Sequence, residues 1–237
     1  IPAIAKEYST AKVLAIELVN GHKFDSDIVL HLSQERRNRL GQALLELYLR
    51  ELFQFGQVQT DAHIGNFLVR LEGETNVDGS VNECDKIVLL DYGAVRSFAP
   101  EFLNQYAKLV HGALTHDMAL VSEAGTEIGF LKSCDSPLVH QEFYTFCHLV
   151  VEPFQDAAVP YSWQGNDLPQ RLATQLTRVI QAREFRAPPR EVLFLDRKST
   201  GLYVLLSRLG AKTETHAHVR EAIKRRLSPS YEPSKAE

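Results

Sequence analysis

With 237 residues, 44% of them hydrophobic and 24% charged, the chain has the composition of an ordinary globular protein and the length for one large domain or two small ones. Its three cysteines are odd in number and show no C-x-x-C spacing, which argues against a disulfide framework or a zinc site and for a reducing compartment. The net charge of −4 conceals a split: residues 1–170 carry 12 basic and 23 acidic side chains, and residues 171–227 carry 13 basic and 5 acidic.

No basic-then-apolar leader opens the sequence, and no uncharged apolar run approaches the ~18 residues of a membrane span, so a soluble chain is expected, one still able to lie against a membrane. The basic third predicts either a charged contact, with an anionic membrane or lipid as the expected partner, or a set of solvated helix faces. No nucleic acid partner is expected.

Near the start, Lys12-Val13-Leu14-Ala15-Ile16-Glu17-Leu18-Val19 is short, apolar and β-branched, and Asn20-Gly21 ends it, which predicts a strand and a turn. From residue 27 to about 55, apolar residues including Leu40, Leu44, Leu47 and Leu52 recur at helical spacing. Asp25, Ser26 and Asp27 offer cap oxygens there, and Gly56 is a stop. Phe67-Leu68-Val69 and Lys86-Ile87-Val88-Leu89-Leu90 flank a polar, Gly-containing stretch and predict a β-hairpin.

After Pro100 the pattern is helical, with helices predicted over 100–114, 117–131, 136–150, 168–183, 189–209 and 214–227. Residues 228–237 read as a flexible tail. The fold class expected is α+β and mainly helical, with a small hairpin set into a helical lobe.

Chemistry concentrates in Gln59-Thr60-Asp61-Ala62-His63-Ile64-Gly65-Asn66, followed after the hairpin by Leu89-Leu90-Asp91-Tyr92-Gly93. An Asp with an Asn five positions later, then Asp-aromatic-Gly after a strand, is the order of groups that protein kinases use for phosphoryl transfer. Asp91 is a hard carboxylate suited to magnesium, Asn66 can add a neutral oxygen to the same metal, and Asp61 can orient or deprotonate an attacking hydroxyl. Each fragment alone is common. Their order, each beside an apolar strand, carries the reading. Solvated turns remain the plain alternative.

These motifs closely resemble the UbiB/AarF-domain (ABC1-type) atypical kinases, whose pattern reads Q/A-D-P-H-x-G-N followed by L-D-F-G-x-x-R. The opening Val13 to Gly21 resembles that family's hinge, and Pro188 to Gly201, with Arg197-Lys198, resembles its late helix, so the likeness spans roughly residues 8–210. The resemblance implies a protein-kinase-like C-terminal lobe, with Asp61 as catalytic aspartate and Asn66 and Asp91 as metal ligands. The backbone of Glu17, Leu18 and Val19 would face adenine, and ATP and Mg2+ are the implied cofactors. Ile16, Ala62 and Tyr92 depart mildly from the family pattern.

The resemblance further implies a role in ubiquinone biosynthesis or isoprenoid lipid homeostasis, as an atypical kinase or ATPase. It implies a cytoplasmic location peripheral to the inner membrane in a bacterium, or a mitochondrial one in a eukaryote. The nucleotide loop and phosphate-binding lysine precede the hinge in a complete kinase. Residues 1–227 are therefore expected to be a C-lobe beginning at the hinge, with an N-lobe segment missing and little activity in isolation. Two alternatives are a nucleotide-responsive membrane- or partner-binding module without phosphotransfer, and an aminoglycoside- or choline-kinase-like phosphotransferase.

Other candidates have plainer readings. Ala99-Pro100-Glu101 copies a kinase motif but stands too close to Asp91, so Pro100 is read as a helix start. Arg39-Leu40-Gly41-Gln42 only imitates the family's Lys-x-Gly-Gln. His63 is expected to touch phosphate or to stabilise its loop, and His111, His116, His216 and His218 lack a ligand arrangement. Asn76, Asp78 and Asp85 read as a solvated turn. Arg197 and Lys198 are expected to anchor the last helices through acidic partners or to face a ligand.

Overall fold

The leucines of the first long apolar stretch do coil, in three pieces rather than the single helix predicted. In a computed structural model describing residues 1–155, 159–182 and 188–228, α1 (Asp27–Leu30) is one turn. α2 (Gln34–Leu49) then starts at Ser33, whose hydroxyl accepts from the Arg36 N–H. Arg50–Phe55 widen into π-helix, and Gly56 ends the element at φ 65°, a conformation that a β-carbon would resist. The π-turn buries Glu51, Leu52 and Phe53 in succession, more consecutive inward side chains than a regular amphipathic stripe accommodates.

The strand predicted over residues 12–19 does not form. Its backbone makes only isolated antiparallel bridges, Ile4 with Ile16 and Thr10 with Val13, while Ile4, Val13, Leu14 and Leu18 stay more than half exposed. β-Branched composition yields a strand where neighbouring strands and a covering layer exist. Beyond those bridges, none pairs with this segment among the described residues.

The predicted hairpin is present. β3 (Phe67–Arg70) pairs antiparallel with β4 (Lys86–Leu89), Phe67 opposite Leu89, and β1 (His22–Lys23) pairs with the other edge of β3. Its connecting turn is tied down by its own polar groups. Asn76 donates to Ser80 and Asn82, Ser80 donates to Asp78, and Asp85 is clamped to α2 by two hydrogen bonds from Arg36. A second pairing was not legible in the sequence: β2 (Gln57–Gln59) runs antiparallel to β5 (Val95–Ser97), which brackets the hairpin.

The helices predicted after Pro100 form with close to the expected bounds. α3 (Pro100–Leu114) and α5 (Pro137–Val150) open on their prolines, and α4 (Met118–Ile128) is capped by Asp117. α6 (Leu168–Ala182), α7 (Arg190–Leu209) and α8 (His216–Arg226) complete the lobe, with β6 (Tyr161–Ser162) paired to β7 (Lys212–Thr213) between them. Position 183 of the helix predicted over 168–183 and positions 229–237 of the predicted tail lie outside the described residues.

α2 lies against α7 in the core, where Leu40, Leu44, Leu45, Leu205, Leu206 and Leu209 are buried. Gly41 lets them close: a β-carbon there would stand 2.5 Å from that of Ala211. This accounts structurally for the Arg-Leu-Gly-Gln imitation, whose Gln42 also accepts from the Glu214 N–H. Part of the positive charge of the last third pairs within the chain, Arg171 with Glu152 and Asp167, Arg208 with Asp25, Lys198 with Glu51. Among the described residues no helix is long and apolar enough to cross a membrane.

Candidate active site

The antiparallel register of β3 and β4 decides the site. Phe67 faces Leu89, so Asn66 just before β3 stands opposite Leu90 just after β4, and the Leu90 N–H donates to the Asn66 carbonyl at 3.0 Å. Asp91 is the next residue. β2 and β5 hold the other ends of the same two loops, with the Thr60 N–H and hydroxyl both donating to the Ala94 carbonyl at 3.0 and 2.8 Å. Two strand pairs thus clamp the catalytic loop and the Asp-Tyr-Gly turn against each other, which a single flexible loop could not do.

Gln59, which is buried, bridges the two loops. Its amide oxygen accepts from the Asp61 N–H at 2.8 Å, and its amide nitrogen donates to the Asp91 carbonyl at 3.1 Å. The Asn66 amide nitrogen donates to the main-chain carbonyl of Asp61 at 3.1 Å and lies 3.5 Å from its Oδ2. Asp91 Oδ1 accepts from the Gly93 N–H at 2.7 Å. His63 Nδ1 accepts from the Gly65 N–H at 3.1 Å, so the histidine stabilises its own loop. Asp61, Asn66 and Asp91 are therefore brought together.

These positions suit a divalent metal. With the Asn66 nitrogen engaged by Asp61 and Asp91 Oδ1 by Gly93, an amide oxygen and the second carboxylate oxygen remain as hard donors, and both residues line one small cavity with Lys198 and Glu51. Among the described residues no cluster of three or more His, Cys, Asp or Glu forms a metal cage. Magnesium is ordinarily held by one or two protein oxygens together with phosphate oxygens, which is the arrangement this pair allows.

α7 reaches across to the same site. Arg197 Nη2 donates to Asp61 Oδ1 at 2.6 Å, and Lys198 Nζ stands 2.9 Å from Glu51 Oε2. Both basic residues thus find acidic partners, one on the catalytic loop and one on the π-turn. Gly201 makes the approach: a β-carbon would meet that of Ala62, beside Asp61, at 2.6 Å. Burial raises the Glu51 pKa and Lys198 partly pulls it back, while burial and Glu51 push the Tyr92 hydroxyl up to about 12.

Glu51 and Gln59 carried no assigned role in the sequence. Glu51 did leave a signal, since it stands on the apolar stripe of Leu47, Tyr48 and Leu52, where a charge needs a partner.

Glu17, Leu18 and Val19 lie apart from this cluster, sharing no hydrogen bond or ion pair with it among the described residues. The Glu17 N–H donates to the Ala3 carbonyl at 2.8 Å. Its carboxylate accepts from Arg70 at 2.7 Å, and that bond holds its pKa below the usual carboxylate range. Arg70 ends β3 and also donates to the Asn20 carbonyl, so the segment is tied to the hairpin that carries Asn66. Of the other candidate histidines, His216 accepts from Arg220, His218 meets Glu46, and the His116 ring packs on His148.

Comparison with known proteins places this geometry. Rat atypical kinase COQ8B, a mitochondrial protein, is 32% identical over 219 residues, covering 92% of this chain and 38% of the relative. Baker's yeast atypical kinase COQ8, also mitochondrial, is 27% identical over 212 residues, 89% of this chain and 40% of the relative. The chain thus spans about two fifths of the length of these curated relatives. A Mycobacterium tuberculosis protein solved as its complex with erythromycin shares the fold, with a TM-score of 0.65 at 20% identity over 96% of this chain and 53% of that one. The profile of the ABC1 atypical kinase-like domain matches residues 1–125, where the segment 13–21, the loop from Asp61 to Asn66 and the Asp-Tyr-Gly turn all lie, and the chain belongs to that family.

Proposed function

We propose that the chain is the magnesium- and ATP-binding lobe of a COQ8/UbiB-type atypical kinase or ATPase. The observation that carries this is the Gln59 bridge, which locks Asp61 and Asp91 to one another through a single side chain. Asn66 and Asp91 hold the metal, and magnesium when bound neutralises the phosphate oxygens of the nucleotide.

Asp61 orients the attacking hydroxyl or water and takes its proton, with Arg197 fixing the carboxylate's direction. The backbone of Glu17, Leu18 and Val19 supports adenine. By the same proposal the whole protein works in the compartment of its mitochondrial relatives, or at the inner membrane of a bacterium, in ubiquinone biosynthesis or isoprenoid lipid homeostasis.

The test is magnesium-dependent ATP binding and hydrolysis by the full-length protein. Asp91→Asn is expected to abolish the magnesium dependence of ATP binding. Asp61→Ala is expected to keep binding but to lower turnover by about 10²–10⁴-fold. Wild-type magnesium-ATP affinity in Asp91→Asn would remove the metal assignment, and undiminished turnover in Asp61→Ala would remove the base.

A further inference from the structure

α7 presents two faces with different chemistry. Arg197, Lys198 and Gly201 meet the catalytic loop and the π-turn. Asp196, Ser199, Thr200 and Tyr203 recur at helical spacing on another face and line a cavity of about 360 Å³ between α7, α2 and α6. A smaller cavity of about 110 Å³ beside α3 and α5 shares Asp196, Ser199, Tyr106 and Phe146 with it, so both open on one stretch of α7. The larger volume falls within the usual range for small-molecule sites, about 300–1,000 Å³.

The lining is hydrocarbon and aromatic, as at Leu45, Leu49, Phe154, Leu172 and Leu176, and among the described residues Asp196 is the single charged one in either wall. Two of the hydroxyl contacts nearby are already made, Tyr48 with Ser199 at 2.8 Å and Tyr203 with Asn166 at 2.7 Å. The Asp196 carboxylate makes no hydrogen bond or ion pair among the described residues, and its apolar surroundings raise its pKa. Asp196 is itself exposed, so its carboxylate keeps water at the mouth of this apolar cavity and presents the one kind of charge a ligand entering there would meet.

We propose that this cavity binds a small lipophilic amine, its hydrocarbon body against the leucines of α2 and α6 and its ammonium group on Asp196. Charge complementarity selects this head group. A carboxylate head would meet like charge, and an uncharged head would gain no charge-assisted contact with Asp196. The site stands independently of the nucleotide reading, because it shares no lining residue with the Asn66–Asp91 cavity.

The chain's single tryptophan, Trp163, lines the larger cavity and reports its occupancy by fluorescence. Octylamine, octanol and octanoate are titrated against the chain at neutral pH. Octylamine is expected to bind saturably and at least about tenfold tighter than octanol, the equivalent of one charge-assisted contact, with no saturable binding of octanoate. Asp196→Asn is expected to make amine and alcohol equal while keeping the alcohol. Ala173→Phe, which fills the cavity from α6, is expected to block both.

Non-saturable octylamine binding overturns the proposal, as does an amine no tighter than the alcohol in wild type. An amine preference that persists in Asp196→Asn, or binding untouched by Ala173→Phe with an unchanged circular dichroism spectrum, overturns it equally.

Discussion

Replacing Lys198 by Met isolates the ion pair that joins α7 to the π-turn. Lys198 is 5% exposed and Glu51 is 8% exposed, with 2.9 Å between their charged atoms. Removing one partner of a buried pair costs about 3–5 kcal/mol, because the other charge is left without compensation. At about 2–4 °C per kcal/mol for a domain of this size, Lys198→Met is expected to lower the melting temperature by roughly 6–20 °C at neutral pH.

The loss has a pH signature. Burial raises the folded-state pKa of Glu51, and Lys198 opposes that rise. Without Lys198 the folded acid keeps its proton to still higher pH, whereas the unfolded chain releases it near about 4.3. Between those two values the folded state binds more protons than the unfolded state, so stability falls as pH rises through that window.

The deficit of Lys198→Met is therefore smallest below about pH 4 and grows toward neutrality. Adding Glu51→Gln removes the buried acid, and the double variant is expected to recover most of the stability and to lose the pH dependence. Urea melts of wild type, Lys198→Met, Glu51→Gln and the double variant between pH 4 and 8 measure all of this. A Lys198→Met chain within about 1 kcal/mol of wild type at pH 7, with no slope against pH, would refute the argument.

Three further outcomes are expected. Gly201→Ala places a β-carbon 2.6 Å from that of Ala62 and 3.0 Å from its carbonyl oxygen. It should cost about 1–3 kcal/mol and reduce turnover of the full-length protein, and an unchanged melting temperature would contradict the packing. Asp85 accepts two hydrogen bonds from Arg36, and that pairing holds its carboxyl below the usual range. Its stabilisation is present above the unfolded pKa and is lost as pH falls through the depressed folded one, so Asp85→Asn should be less stable by about 1.5–3 kcal/mol at pH 7 and approach wild type in acid. Burial raises the Cys147 thiol pKa, whereas Cys84 and Cys134 are exposed, so a thiol reagent should titrate two cysteines in the folded chain and three in denaturant.

Local chemistry wrote much of this structure into the sequence. The helices after Pro100 follow from apolar spacing and from caps that act within one turn, such as Ser136 with Pro137 and the left-handed glycines 129 and 210. The Asp61, Asn66 and Asp91 cluster was legible because the hairpin strands bring its loops together within about thirty residues of chain. The predicted strand over residues 12–19 failed because strand propensity depends on neighbours the sequence does not name.

Tertiary structure alone decided what surrounds the cluster. Arg197 meets Asp61 across 136 positions of chain, and Lys198 meets Glu51 on a π-turn that helical periodicity does not distinguish from ordinary helix. Such contacts depend on how α7 lies against the π-turn and the loop at Asp61, and on a glycine at the approach, Gly201 against Ala62. Packing fixes the partner of a charge only after the fold has closed, so the sequence could offer acids or a ligand as the partners of Arg197 and Lys198 but not decide between them or name the acids.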